Sequence, residues 1–223
     1  MSKSIKTQLG RLIVAAIAAP AAVGLTGVLV SCLKDFSISY IPFFLGVLAY
    51  TLGYPVFKKP FYAYVVGHEL THVLGVWLAR GRVHDMRVGE HGGMVKTDTA
   101  NVWVSLLPYL FPIYTALLLF IYMILSIVWD MSKFHSIMVF LVGATWAFHL
   151  WMTLYVVRHN QPDIEQSGVI FSAVIIYLAN LLVLGTLLVI ISPELTFKDF
   201  LVDAVVRVKD VYVNVINCLT KPA

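Results

Sequence analysis

Gly67-His68-Glu69-Leu70-Thr71-His72-Val73-Leu74-Gly75 sets two histidines and a glutamate inside an otherwise apolar stretch. Between Phe61 and Leu78 the only other side chains with hydrogen-bonding groups are Tyr62, Tyr64, Thr71 and Trp77. A helix that is apolar on every face except one turn is buried in protein or in bilayer. Ionisable groups are costly to hold there, so the three mark a functional site.

Working outward, Pro60 suits the first turn of a helix, and Arg80-Gly81 supply a basic last turn and a helix-ending glycine. The motif helix is therefore predicted over 60–80. It is about 30 Å long, with His68 roughly 12 Å from its start, well inside a membrane.

The rest of the chain fits that setting. Of its 223 residues 60% are hydrophobic and 13% charged, with a mean hydropathy of +0.86. A soluble domain of this length does not carry several apolar runs long enough to cross a bilayer. The formal charge of +4 needs no nucleic acid to explain it, because Lys and Arg gather at span ends beside anionic headgroups. Two cysteines, Cys32 and Cys218, stand at opposite ends of the chain and predict neither a disulfide framework nor a thiolate metal site.

The predicted fold is an all-α, multi-pass membrane protein, one embedded domain of about six apolar helices with a short β-hairpin inserted after the metal-binding helix. The helices are expected over 12–33, 38–57, 60–80, 102–129, 135–157 and 169–191. Lys3, Lys6 and Arg11 before the first resemble an uncleaved signal-anchor, and Lys58-Lys59 return the chain to the positive side. Pro108 and Pro112 interrupt the fourth run. Between 81 and 101 the character turns polar, and Val83, Met86 and Val88 face Met94, Val95 and Thr97 across Gly89-Glu90-His91-Gly92-Gly93, a hairpin pattern. Its side of the membrane is open at this stage, although Arg80, Arg82, Arg87 and Lys96 favour the cytoplasm. The tail, 193–223, reads as an amphipathic interfacial or docking helix, with Val211-Tyr212-Val213-Asn214-Val215 suiting a strand as well.

Residues four apart share a helix face, so His68 and His72 can present imidazole nitrogens to one ion while Glu69, about 100° round, reaches a water upon it. Two imidazoles and a third protein ligand leave a fourth position on zinc for water, whose pKa falls to about 7. Glu69 is then the general base. The plainer alternative is a pair of helix-packing histidines with Glu69 as counter-ion.

The Gly-His-Glu-Leu-Thr-His helix, the Arg80-Gly81-Arg82-Val83 opening of a Gly-rich hairpin and the proline-interrupted run after it resemble site-2-type intramembrane zinc metalloproteases, in the compact branch without a PDZ domain. The likeness covers residues 55–170 and is strong over 65–115. It implies a third ligand, an Asp shortly after an Asn and a Pro and just before a later span, which Asn160-Gln161-Pro162-Asp163 matches, with Ile164 where the family has Gly. Other third ligands stay open: His149 in mid-span, and Glu90 in the manner of thermolysin. The metzincin position falls on Leu78, and His84 and His91 lie on the presumed hairpin.

The resemblance implies a zinc metalloendopeptidase of a bacterial cytoplasmic membrane that cleaves transmembrane protein or peptide substrates in or near their spans. A substrate helix must unwind before water reaches a carbonyl, and the hairpin, through Gly92, Gly93 and Val95, offers an edge for the unwound strand. Asn160 is expected to hydrogen-bond substrate backbone, or to cap a helix. A non-catalytic adaptor or chaperone with the same architecture predicts binding without cleavage. A metal transporter predicts an inverted repeat, and the sequence has none.

Overall fold

The structure is a computed structural model and describes residues 3–34, 37–56, 59–90, 92–159 and 161–220. In chain order the elements are α1 (Lys3–Lys34), α2 (Ile41–Gly53), α3 (Phe61–Leu78), β1 (Val83–Gly89), β2 (Gly92–Thr97), α4 (Val102–Leu110), α5 (Ile113–Val128), α6 (His135–Val157), α7 (Pro162–Ser167), α8 (Val169–Ile191) and α9 (Phe197–Thr220). By their internal packing they form two compact units, residues 1–40 with 167–223, and residues 41–166. The protein is thus mostly helical with one two-stranded sheet.

Six spanning helices are not what forms. Among the described residues three helices are long and apolar enough to cross a membrane: Lys6–Lys34, Ser132–Val157 and Val169–Ile191. A fourth span exists if α4 and α5, bent by 68° at their junction, are one broken span. Phe111 and Pro112 make the break, since proline can neither donate to the helix ladder nor leave its predecessor helical. The run predicted over 38–57 delivers a 3-10 turn and then α2, only 13 residues long. Pro55 stops it for the same reason. α3 has 18 residues and is not among the spanning candidates.

In the first unit α1 packs against α8 and α9. Val208 meets α1 where Gly24 leaves no Cβ in the way, and Arg207 donates to Ser31 Oγ at 2.8 Å. Phe200, buried on α9, seats against Gly185 of α8. The tail is therefore a helix through Val211–Val215, and the strand alternative is wrong: Phe197, Leu201, Ala204, Val208, Val211 and Val215 recur at the three- and four-residue steps of a helix face, which prevails over the alternation in 211–215.

The second unit holds the motif. α2 and α6 touch backbone to backbone, because a Cβ at Gly46 would fall on the Phe140 carbonyl and one at Gly143 on the Phe43 carbonyl. Such small-residue crossings are how helices associate where apolar burial offers no gain. α3 begins after Pro60 and ends in a paired-bond cap, with Gly81 N–H donating to the Val76 carbonyl and Arg80 N–H to that of Trp77. The left-handed residue is Arg80 (φ 58°), whereas the sequence reading gave the helix-ending role to Gly81. Glycine is needed at 81 for another reason: a Cβ there would collide with the Thr99 side chain.

From that cap the hairpin folds back along α3. Asp98 accepts from Arg82 N–H at 2.8 Å and pins its base, and the register runs Met86 opposite Val95 to Gly89 opposite Gly92. The hairpin predicted over 81–101 is present.

Candidate metal centre

One helical turn brings His68 and His72 to the same side of α3, and their Nε2 atoms lie 3.2 Å apart. The chain then passes through the hairpin, α4, α5 and α6 before α7 returns Asp163 to them. Its Oδ2 is 3.4 Å from His72 Nε2 and 3.8 Å from His68 Nε2. Ligand atoms about 2.0–2.1 Å from a tetrahedral ion stand about 3.3–3.4 Å from one another. The donors therefore already sit close to the spacing that an ion needs, and the group is able to hold a metal.

The outward nitrogens of both rings are engaged. His72 Nδ1 faces the Val104 carbonyl of α4 at 2.9 Å; a carbonyl only accepts, so Nδ1 carries the hydrogen and Nε2 keeps its lone pair. His68 Nδ1 lies 3.1 Å from the Tyr64 hydroxyl, one turn earlier on the same face. The Tyr109 ring meets the His68 ring edge-on, with centroids 5.2 Å apart. Burial pushes the Asp163 carboxyl up, but the neighbouring His68 and His72 outweigh it and hold the group well below the usual carboxylate range. The donor set is two imidazoles and a carboxylate, a combination able to hold a metal ion.

Glu69 is buried beside the triad, and β2 lies directly over it. A Cβ on Gly93 would stand 2.5 Å from Glu69 Cγ. Glu69, His68, His72 and Asp163 share the wall of a cavity of about 470 Å³ with Gly92, Gly93 and Val95 of β2. Phe61, Val65, Val76, Met94 and Val156 give it an apolar lining.

Of the residues singled out from the sequence, His68, Glu69, His72, Asp163, Gly92, Gly93 and Val95 are thus brought to one place. Asn160 and His91 lie outside the described residues. Glu90 and His84 are exposed on the hairpin, and His149 lines a small cavity behind His68 with Tyr64 and Thr71; none of these three joins the triad. Tyr64 was legible as a partner from its four-residue spacing to His68. Val104 and Tyr109 carried no such signal.

No protein-family model, curated protein or solved structure matches the chain.

Proposed function

We infer that the protein is a zinc metalloendopeptidase that hydrolyses peptide bonds of membrane-protein substrates in or near their spans, of the site-2 type that the sequence resembles. The observation carrying this reading is the convergence of Asp163 Oδ2 on the two Nε2 atoms, with Glu69 in the same cavity wall. A structural histidine pair has no need of a third donor at ligand spacing or of a general base opening on a cavity.

His68, His72 and Asp163 would hold the zinc. When bound, it supplies an activated water of pKa about 7 at its remaining position. Glu69 accepts the proton of the attacking water and delivers it to the leaving amine. The apolar lining receives an unwound segment and excludes bulk water. Gly92, Gly93 and Val95 in β2 offer that segment backbone N–H and C=O groups, and Gly93 has no side chain to block its approach to Glu69.

The test is purified protein in lipid with a fluorogenic transmembrane substrate. Cleavage is expected from the zinc-loaded protein and loss of at least about 100-fold in Glu69→Gln, the usual scale of general-base catalysis. Undiminished cleavage by Glu69→Gln or by metal-free protein would falsify the protease reading, and substrate binding without cleavage would favour an adaptor.

A further inference from the structure

His68 and His72 occupy one turn of α3, yet the groups behind their rings differ in kind. His72 Nδ1 faces the Val104 carbonyl at 2.9 Å, and a carbonyl only accepts, so the hydrogen of that ring stays on Nδ1. His68 Nδ1 faces the Tyr64 hydroxyl at 3.1 Å, and a phenol both donates and accepts. Tyr64 is well fixed for the task. It stands one turn before His68 with its ring 5.5 Å from the imidazole, and it is buried.

The spacing of the two rings sets where the hydrogens lie. Their Nε2 atoms are 3.2 Å apart, a hydrogen-bond distance at which two bare lone pairs repel, so one of them carries a hydrogen. With His72 neutral and its hydrogen on Nδ1, the hydrogen between the rings is that of His68. His68 Nδ1 is then bare and accepts from Tyr64. Binding a metal through Nε2 needs the other tautomer, with the hydrogen on Nδ1. In that form Nδ1–H is a buried donor, costly if unmet, and the Tyr64 oxygen accepts from it once its own O–H has turned aside. The ring stays neutral throughout, since one hydrogen leaves Nε2 for solvent and one arrives from solvent at Nδ1. A phenylalanine at 64 would fill the same space and meet neither form.

We propose that Tyr64 is the positioning residue of His68: its hydroxyl, by changing from donor to acceptor, lets this ligand turn its Nε2 lone pair to the metal, whereas the Val104 carbonyl holds His72 in the binding tautomer at all times. This rests on the metal-binding reading of the triad. Hydrogen-bonded partners of metal-bound histidines commonly govern affinity by about 10–100-fold.

The experiment uses the full chain in nanodiscs at about pH 8.5, above the ordinary imidazole value of about 6.5. ¹⁵N-histidine spectra read which ring nitrogen carries the hydrogen, with His68→Gln identifying the His68 signals, and chelator competition reads zinc affinity. In the metal-free chain His68 is expected to carry its hydrogen on Nε2 and, after zinc addition, on Nδ1, while His72 carries it on Nδ1 in both states. Tyr64→Phe is expected to weaken zinc binding by about 10–100-fold, and Tyr50→Phe, which removes another buried hydroxyl, to leave it unchanged. Wild-type affinity in Tyr64→Phe, or an equal loss in Tyr50→Phe, overturns the proposal and leaves the metal reading standing. So does a metal-free His68 that already carries its hydrogen on Nδ1, the hydrogen between the rings then coming from an imidazolium at His72. A wild-type chain that binds no zinc overturns the metal reading and the proposal with it. Should Tyr64→Phe not fold, the tautomer of His68 in the unaltered chain before and after zinc decides the matter.

Discussion

The Nδ1–H of His72 donates to the backbone carbonyl of Val104 at 2.9 Å, and this one bond joins the motif helix to the first half of a broken one. It fixes the tautomer of His72 and the height of α4 against α3. A backbone carbonyl in that role cannot be removed by exchanging the Val104 side chain, so the orientation of His72 tolerates sequence change at its anchor. His68 has a side-chain anchor, the Tyr64 hydroxyl, and that is where substitution will be felt.

Asp163→Ala removes one of three donors. Zinc affinity is expected to fall by at least about two orders of magnitude, the upper end of what even indirect partners of a ligand cost. Metal stoichiometry after dialysis checks it, and zinc retained at the wild-type level would direct attention to another third ligand.

Gly93→Ala places a methyl 2.5 Å from Glu69 Cγ and 2.7 Å from its Oε1. Either β2 lifts from α3 or Glu69 turns away. The variant is expected to lose about 1–3 kcal/mol of stability, as overpacked sites do, and to cleave substrate poorly while binding zinc normally. Unfolding, zinc content and hydrolysis measured side by side separate this from a general collapse.

Two helical glycines should respond oppositely to alanine. Gly46→Ala drives a Cβ into the Phe140 carbonyl and is expected to destabilise the α2–α6 pair by about 1–3 kcal/mol. At Gly10 nothing lies within 4 Å, so alanine there gains about 0.5–1 kcal/mol from the stiffer chain alone. Thermal unfolding of the two variants in the same detergent tests both signs.

The hairpin base should weaken in acid. Arg82 N–H and the Thr99 hydroxyl donate to Asp98 and hold its carboxyl below its ordinary value of 3.8. A group depressed on folding stabilises above its unfolded value, and that contribution disappears as pH falls through the folded one. Hydrogen-exchange protection of the Arg82 amide is expected to hold above about pH 4 and to decline below it. In Asp98→Asn the decline should vanish.

What could be read without the fold was local. The four-residue spacing of His68 and His72 sets them on one face whatever surrounds the helix, and Pro60 fixes the start of α3. The polar interval with its paired valines and glycines announced a hairpin, because strand alternation and turn residues act over a few positions. Helix ends were read less well. Arg80 takes the left-handed position because Gly81 is already committed to its approach to Thr99, a contact 18 residues away in sequence that no capping rule contains. Apolar length was overestimated for a local reason at 38–57, where Pro55 cuts short a run that hydropathy reads as continuous, whereas the interruption at Pro112 was legible.

Helical periodicity, which needs only neighbours along the chain, already set two histidines and a glutamate on one turn of an apolar helix. The tertiary structure alone decided the rest of the site. It brought Asp163 to within 3.4 Å of His72, laid Gly93 over Glu69, and set the Val104 carbonyl against His72 and the Tyr109 ring against His68. Those relations depend on the bend between α4 and α5, the close α2–α6 crossing and the fold-back of the hairpin. The bend follows locally from Phe111–Pro112, but the α2–α6 crossing and the seating of the hairpin on α3 are packing outcomes that no local spacing encodes.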